Sequence, residues 1–296
     1  MKKLIVLAFI GLVAQLVDGA LGMAYGVTST SLLLLFGIAP AVASASVHLA
    51  EVVTTAASGI SHIRFGNVDK QVVRRLIIPG SVGAFLGACF LSSIPGDVIK
   101  PFISGFLLLL GVYVLYRFLF KFNPAEKMVN KKWSKKQYLS LGFFAGFLDA
   151  TGGGGWGPIA TPVLLTSKKM EPRKVIGSVD TSEFAIAVAS TLGFLLTLGW
   201  SQIHWQWVIA LMIGGLIAAP IAAWLVKIIP TNLLGTLVGG VIIITNIRTL
   251  LIALDATFSI SIFVYSILII LWALAVTYTI MQVKKSRKRN GFSSHN

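Results

Sequence analysis

Five of the ten acidic side chains in this 296-residue sequence fall inside apolar runs: Asp18, Glu51, Asp149, Asp180 and Glu183. An ionised carboxylate at the centre of a membrane span costs at least about 2.5–3.5 kcal/mol, so each of these positions calls for a physical reason. Glu51 follows His48 by three positions, and Glu183 follows Asp180 by the same interval. Residues three apart share a helix face, so each helix presents an ionisable pair on one stripe. A carboxyl able to exchange a proton there would be a proton-coupling site, whereas a hydrogen bond to the neighbouring Ser46, Thr54, Thr55, Thr181 or Ser182 would make it structural. Asp18 and Asp149 stand at glycine-rich breaks, where a carboxylate can cap the following helix by accepting from its orphan N–H groups.

Those breaks carry the second kind of chemistry. Asp18 to Gly26 and Asp149 to Gly157 are related: at a shift of 131 residues, Gly11, Ala14, Asp18, Gly22, Gly26 and Thr30 all recur, with Tyr25 against Trp156. A helix that restarts after such a break exposes free N–H groups and the positive end of its dipole, which suits an anion. The candidate anion site is therefore Tyr25, Gly26, Thr28 and Thr30 in one half, and Gly153, Gly154, Gly155, Trp156, Gly157 and Thr161 in the other. Glycine lets a ligand approach the backbone, while Tyr25 and Trp156 can wall the site and donate hydrogen bonds. The same glycines also suit close packing of membrane helices.

The elements that must position these residues follow from composition and repeat. The sequence is 56% hydrophobic and 12% charged, far from a soluble domain, and each membrane span needs about 20 apolar residues. The repeat continues beyond the breaks: Pro40, Ser46, Glu51 and Ser58 meet Pro172, Ser178, Glu183 and Ser190, then Gly80, Pro95 and Gly105 meet Gly215, Pro230 and Gly240. Each half opens with a segment broken at its middle, 4–17 then 24–38 and 138–149 then 157–167. The expected fold is an all-α polytopic membrane protein with two inverted repeats. Each repeat is a broken helical hairpin plus three transmembrane helices, and one extra C-terminal helix follows. The expected divisions are 1–120, a basic cytoplasmic loop at 121–136, 137–252, an additional helix at 253–283 and a basic cytoplasmic tail at 284–296. Lys2 and Lys3 before an apolar stretch resemble a signal peptide, but cleavage would delete the first element of one half, so the segment is expected to be kept.

Hairpins rather than interrupted single spans are favoured by charge. With hairpins, 21 of the 25 Lys and Arg fall on one side, against a 14 to 11 division otherwise. The expectation is a multi-pass cell-membrane protein with its C-terminus cytoplasmic and its N-terminus outside. Topology also accounts for the net charge of +15, so nucleic acid is rejected as a partner; the expected partners are a small anion and the bilayer, with a homo-oligomer left open. His48, His62, His204 and His295 have no zinc-like spacing and Cys89 is alone, so no metal, cofactor or disulfide is expected.

At the two Gly-rich motifs and the Ser/Glu-bearing helices after them, the chain resembles the TauE/SafE, or sulfite exporter, family of membrane permeases. The resemblance covers nearly the whole chain and implies transport of sulfite, sulfonates or related organosulfur anions. The first motif departs from the glycine-rich form, with Met23, Ala24 and Val27 where the second has Gly154, Gly155 and Pro158. The leading expectation is a secondary transporter for a small anion, ahead of an anion channel. A membrane enzyme ranks last because no compact nucleophile–base or metal group is found; His48 beside Glu51 comes nearest.

Overall fold

The computed structural model describes residues 2–21, 23, 25–121, 133–166, 170, 172–225 and 231–292. Most of the basic loop expected at 121–136 lies outside the described residues, as do Lys168, Lys169 and Lys227.

Eleven α-helices are described. The first broken segment is α1 (Lys2–Leu21) and α2 (Tyr25–Leu35), followed by α3 (Pro40–Arg64), α4 (Lys70–Ser92) and α5 (Gly96–Tyr116). A π-helical turn, Arg117–Lys121, extends α5. The second broken segment is α6 (Lys135–Gly152) and α7 (Trp156–Thr166), followed by α8 (Pro172–Leu198), α9 (Trp205–Leu225), α10 (Thr231–Ala253) and α11 (Phe258–Phe292). Both segments are broken, but the first break falls later than the glycines suggested. Asp18 and Gly19 lie inside the last turn of α1, because a single glycine costs only about 1 kcal/mol there. The restarting arms are short: eleven residues span about 16 Å, half of a hydrocarbon core.

Among the described residues, five helices are long and apolar enough to cross a membrane: α4, α5, α8, α10 and α11. Shorter apolar stretches lie in α1, α2 and α9. α3 is long but polar, and its Ser44, Ser46, His48, Glu51, Thr54 and Thr55 are all buried. It lies inside the bundle against α8, α9 and α2. α11 lies at the periphery on α10, where the Trp272 indole N–H donates to the Thr236 carbonyl at 3.1 Å and Thr236 and Thr279 share a hydroxyl hydrogen bond.

The closest packing joins helices from different halves: α1 against α9, α6 against α4, and α3 against α8. These approaches need residues without side chains. A Cβ on Gly214 would strike the Ala8 carbonyl, and one on Gly83 would strike the Phe143 carbonyl. Between membrane helices the gain is direct van der Waals contact, because lipid is as apolar as the side chains it replaces. Outward faces carry large apolar residues such as Phe102, Leu109 and Phe263.

Gly214→Val and Gly83→Val are expected to destabilise by about 1–3 kcal/mol or more through overpacking. Gly105→Ala, which meets nothing within 4 Å, should be neutral. Thermal loss of monodisperse protein in detergent measures all three.

Candidate functional site

The second break is organised by one residue. α6 ends at Gly153, which adopts the left-handed conformation at φ 67°, and Gly154 follows at φ 149°, so both positions favour glycine. The Asp149 backbone carbonyl accepts from Gly154 N–H at 3.0 Å. Its carboxylate Oδ1 accepts from Gly155 N–H at 2.7 Å and Trp156 N–H at 2.8 Å. Asp149 thus closes the end of α6 with its backbone and the start of α7 with its side chain. Pro158 sits in the first turn of α7, where its missing N–H has no intrahelical role. At the first break Asp18 Oδ1 accepts from Tyr25 N–H at 3.3 Å, a longer contact with one donor rather than two.

The two breaks touch. The Thr30 hydroxyl donates to the Gly153 carbonyl. A Cβ on Gly154 would collide with the backbone of Gly26 and Val27, and a Cβ on Gly26 would lie 2.6 Å from the Gly154 Cα and 3.1 Å from Glu51 Oε1. The Trp156 indole donates to the Val179 carbonyl at 3.0 Å, and its ring covers Gly80. Tyr25 occupies the corresponding place beside Gly215, with its hydroxyl 3.7 Å from where a Cβ would stand. Tyr25, Gly26, Thr28, Thr30, Gly153, Gly154, Gly155, Trp156, Gly157 and Thr161 are all buried, and of these Gly26, Thr30, Gly153 and Gly154 make the contact between the breaks. The hydroxyls of Thr28 and Thr161, at 2% and 0% exposure, have no hydrogen-bond partner among the described residues.

Around the breaks lies a buried ionisable cluster. His48 Nδ1 is 2.9 Å from Glu51 Oε2 and 3.9 Å from Asp149 Oδ2, and its ring stacks on Phe194. The imidazole therefore stands between Glu51 and the free oxygen of the carboxylate that caps α7. Asp180 behaves differently from its sequence counterpart His48. It accepts from the Ser58 hydroxyl at 3.1 Å and faces His62 at 3.8 Å rather than joining Glu183. Asp18, Glu51, Asp149, Asp180 and Glu183 are all buried, and no Lys or Arg among the described residues lies within 4 Å of them.

Three contacts involve residues to which the sequence drew no attention. Ser44 donates to the Ala150 carbonyl at 2.7 Å, fastening α3 to the last turn of α6. Asn246 donates to Ser31 at 2.8 Å, joining α10 to α2. Arg117 Nη1 reaches Met23 Sδ at 3.8 Å, at the edge of the first break. An amide within the apolar α10 was a readable signal; the other two depend on which helices meet.

Residues 7–249 match the family model described as "Sulfite exporter TauE/SafE". A Bacillus subtilis (strain 168) protein named "Probable membrane transporter protein YtnM" is 63% identical over 283 residues, which cover 96% of this chain and 94% of that protein. No solved structure matches.

Asp149→Ala leaves two buried N–H groups without an acceptor and is expected to cost about 1–2 kcal/mol, the upper range for a lost cap. Asp149→Asn keeps an accepting oxygen and should cost less, and Asp18→Ala, which releases one longer bond, should also cost less. Thermal unfolding in detergent ranks the three; equal stability of Asp149→Ala and wild type would contradict the capping role.

Proposed function

This chain belongs to the sulfite exporter TauE/SafE family and is a membrane transporter rather than an enzyme; on that premise we propose that it is a secondary carrier for a small sulfur oxyanion, sulfite or a sulfonate. The observation that carries this reading is the contact of α2 with Gly153 and Gly154 just before α7 starts, with a buried threonine hydroxyl on each restarting helix that has no partner among the described residues. Asp149 and Asp18 already take the Gly155, Trp156 and Tyr25 N–H groups, so an oxyanion there would use the threonine hydroxyls within the field of the two helix dipoles. The direct contact between the breaks favours a carrier over a channel. Every candidate site residue is buried, so a substrate must part the two halves to enter.

The reading extends to architecture. Two inverted repeats are supported by the exchange of partners between halves: α1 lies on α9 while its counterpart α6 lies on α4. Gly11 faces the Leu211 carbonyl, and its counterpart Gly142 faces the carbonyl of Leu76, at the offset relating Gly80 to Gly215. With the charge asymmetry of the loops, this arrangement puts the C-terminus in the cytoplasm and the N-terminus outside.

Coupling to protons belongs to the same proposal. Glu51 is faced by His48 on its own helix, Asp149 on α6, Asp18 on α1, Tyr25 on α2 and Glu183 on α8, and Glu183 is faced in turn by Asp180. Five buried carboxylates with two imidazoles, His48 and His62, among them cannot all be ionised in a dry interior, because unpaired buried charges are too costly. A proton taken up with the anion cancels one negative charge, so the occupied site holds no more net negative charge than before a monovalent anion enters. Glu51 and Glu183 carry that proton, and Asp149 and Asp18 hold the helix starts.

Proteoliposomes supplied with labelled sulfite, thiosulfate, taurine or sulfoacetate test the reading. At least one sulfur anion should accumulate when the outside is acidified, and chloride should not. Glu51→Gln should abolish gradient-driven accumulation while retaining substrate-for-substrate exchange. Wild-type protein that moves none of these anions would overturn the substrate assignment. Accumulation indifferent to the pH gradient would overturn the coupling alone.

A further inference from the structure

An anion approaching a cluster of carboxylates needs a cation near its path, and one described side chain meets that need. Arg117 begins the π-helical turn after α5, a distortion of the helical ladder that is frequent at functional positions. The turn packs on α10 as well as on α5. The Arg117 guanidinium is partly buried, with Nη1 3.8 Å from Sδ of Met23, the 1%-exposed residue between α1 and α2. Its other neighbours are the Tyr113 hydroxyl, with which it hydrogen-bonds, and the Phe118 ring, whose centroid is 5.7 Å from Cζ. No carboxylate among the described residues lies within 4 Å of it.

The guanidinium has five N–H donors, and a thioether, an aromatic face and one phenol occupy only part of that capacity. Two parallel N–H groups match two oxygens of an oxyanion, a geometry that a spherical halide cannot fill and a lysine cannot reproduce. We propose that Arg117 is the oxyanion-recognition residue at the rim of the first break, gripping two oxygens of the sulfur anion before it passes Met23 to the threonines of α2. The proposal rests on the reading of the chain as an oxyanion carrier. It assigns affinity and the choice of oxyanion over halide to Arg117, outside the proton-bearing cluster. Counting at the offset that pairs Gly80 with Gly215, the counterpart of Arg117 is Ile252, and Arg248, one turn earlier on α10, is exposed.

The opposing account is that Arg117 packs its stem on Phe118 and sends its head toward water, as long basic side chains do. Initial rates of labelled sulfite and sulfoacetate uptake into proteoliposomes separate the two, using wild type, Arg117→Lys, Arg117→Gln and the exposed control Arg74→Gln. The expected result for Arg117→Gln is KM raised about tenfold or more, the size of a lost charge-assisted contact, with maximal rate and thermal stability near wild type. Arg117→Lys should fall between, and Arg74→Gln should match wild type. Wild-type KM in Arg117→Gln would overturn the proposal, as would a loss of stability with KM preserved. If Arg117→Gln does not fold, Arg117→Lys decides: raised KM at normal stability supports the proposal, and unchanged KM overturns it. Wild-type protein inactive toward both anions would overturn the carrier reading and this proposal with it.

Discussion

A helix interrupted inside a membrane exposes N–H and C=O groups that lipid cannot satisfy, and the interruption survives only where protein groups take them. In this chain Asp149 meets that demand at the second break. Its carbonyl accepts from Gly154, and its carboxylate accepts from Gly155 and Trp156. The glycines follow from this bond pattern, since Gly153 and Gly154 must adopt positive φ for the chain to turn between the two acceptors. The same absence of side chains lets Gly154 lie against Gly26 and Val27, and the Thr30 hydroxyl then takes the Gly153 carbonyl. The contact between the halves is thus a consequence of how one break satisfies its backbone.

The carboxylate that builds the break also sets its electrostatics. Asp149 uses one oxygen on helix α7 and turns the other toward His48, which lies between it and Glu51. The α7 dipole and the charge of the cluster therefore act on the same few atoms, which is where the proposed anion would sit. Protonation of Glu51 lowers the negative charge next to Gly26 without disturbing the cap, because the capping oxygen belongs to a different residue. The aspartates at the breaks hold backbone, which leaves the glutamates on α3 and α8 free for the proposed exchange of charge. α11 stands apart from this machinery, on the outer face of α10.

Much of the element order was legible because breaks and periodic apolar runs are local. Four consecutive glycines cannot continue a helix, and the described break falls at Gly153 to Gly155. The first break was read a few residues early. Asp18 and Gly19 are individually tolerable in a last helical turn, and its N–H partner, Tyr25, lies seven residues on. The pairing of Tyr25 with Trp156 is reflected in their places beside Gly215 and Gly80. Asp180 departs from its counterpart His48, turning to Ser58 and His62 on the neighbouring α3, a contact set by which helices meet. Ser44, and Arg117 beside Met23, were illegible because their roles depend on which helices meet, which no local pattern states.

The central claim is that the contact between the breaks is the place where the anion sits, and Thr28 is the position that tests it most directly. Its hydroxyl is buried and unpartnered, so Thr28→Cys in a Cys89→Ser background removes no hydrogen bond among the described residues. The measurement is the rate of modification of that cysteine by a small anionic thiosulfonate reagent in proteoliposomes, with and without a saturating transported anion. The account predicts slow labelling that the transported anion suppresses and chloride does not. Labelling that proceeds at the same rate with and without the transported anion would contradict it.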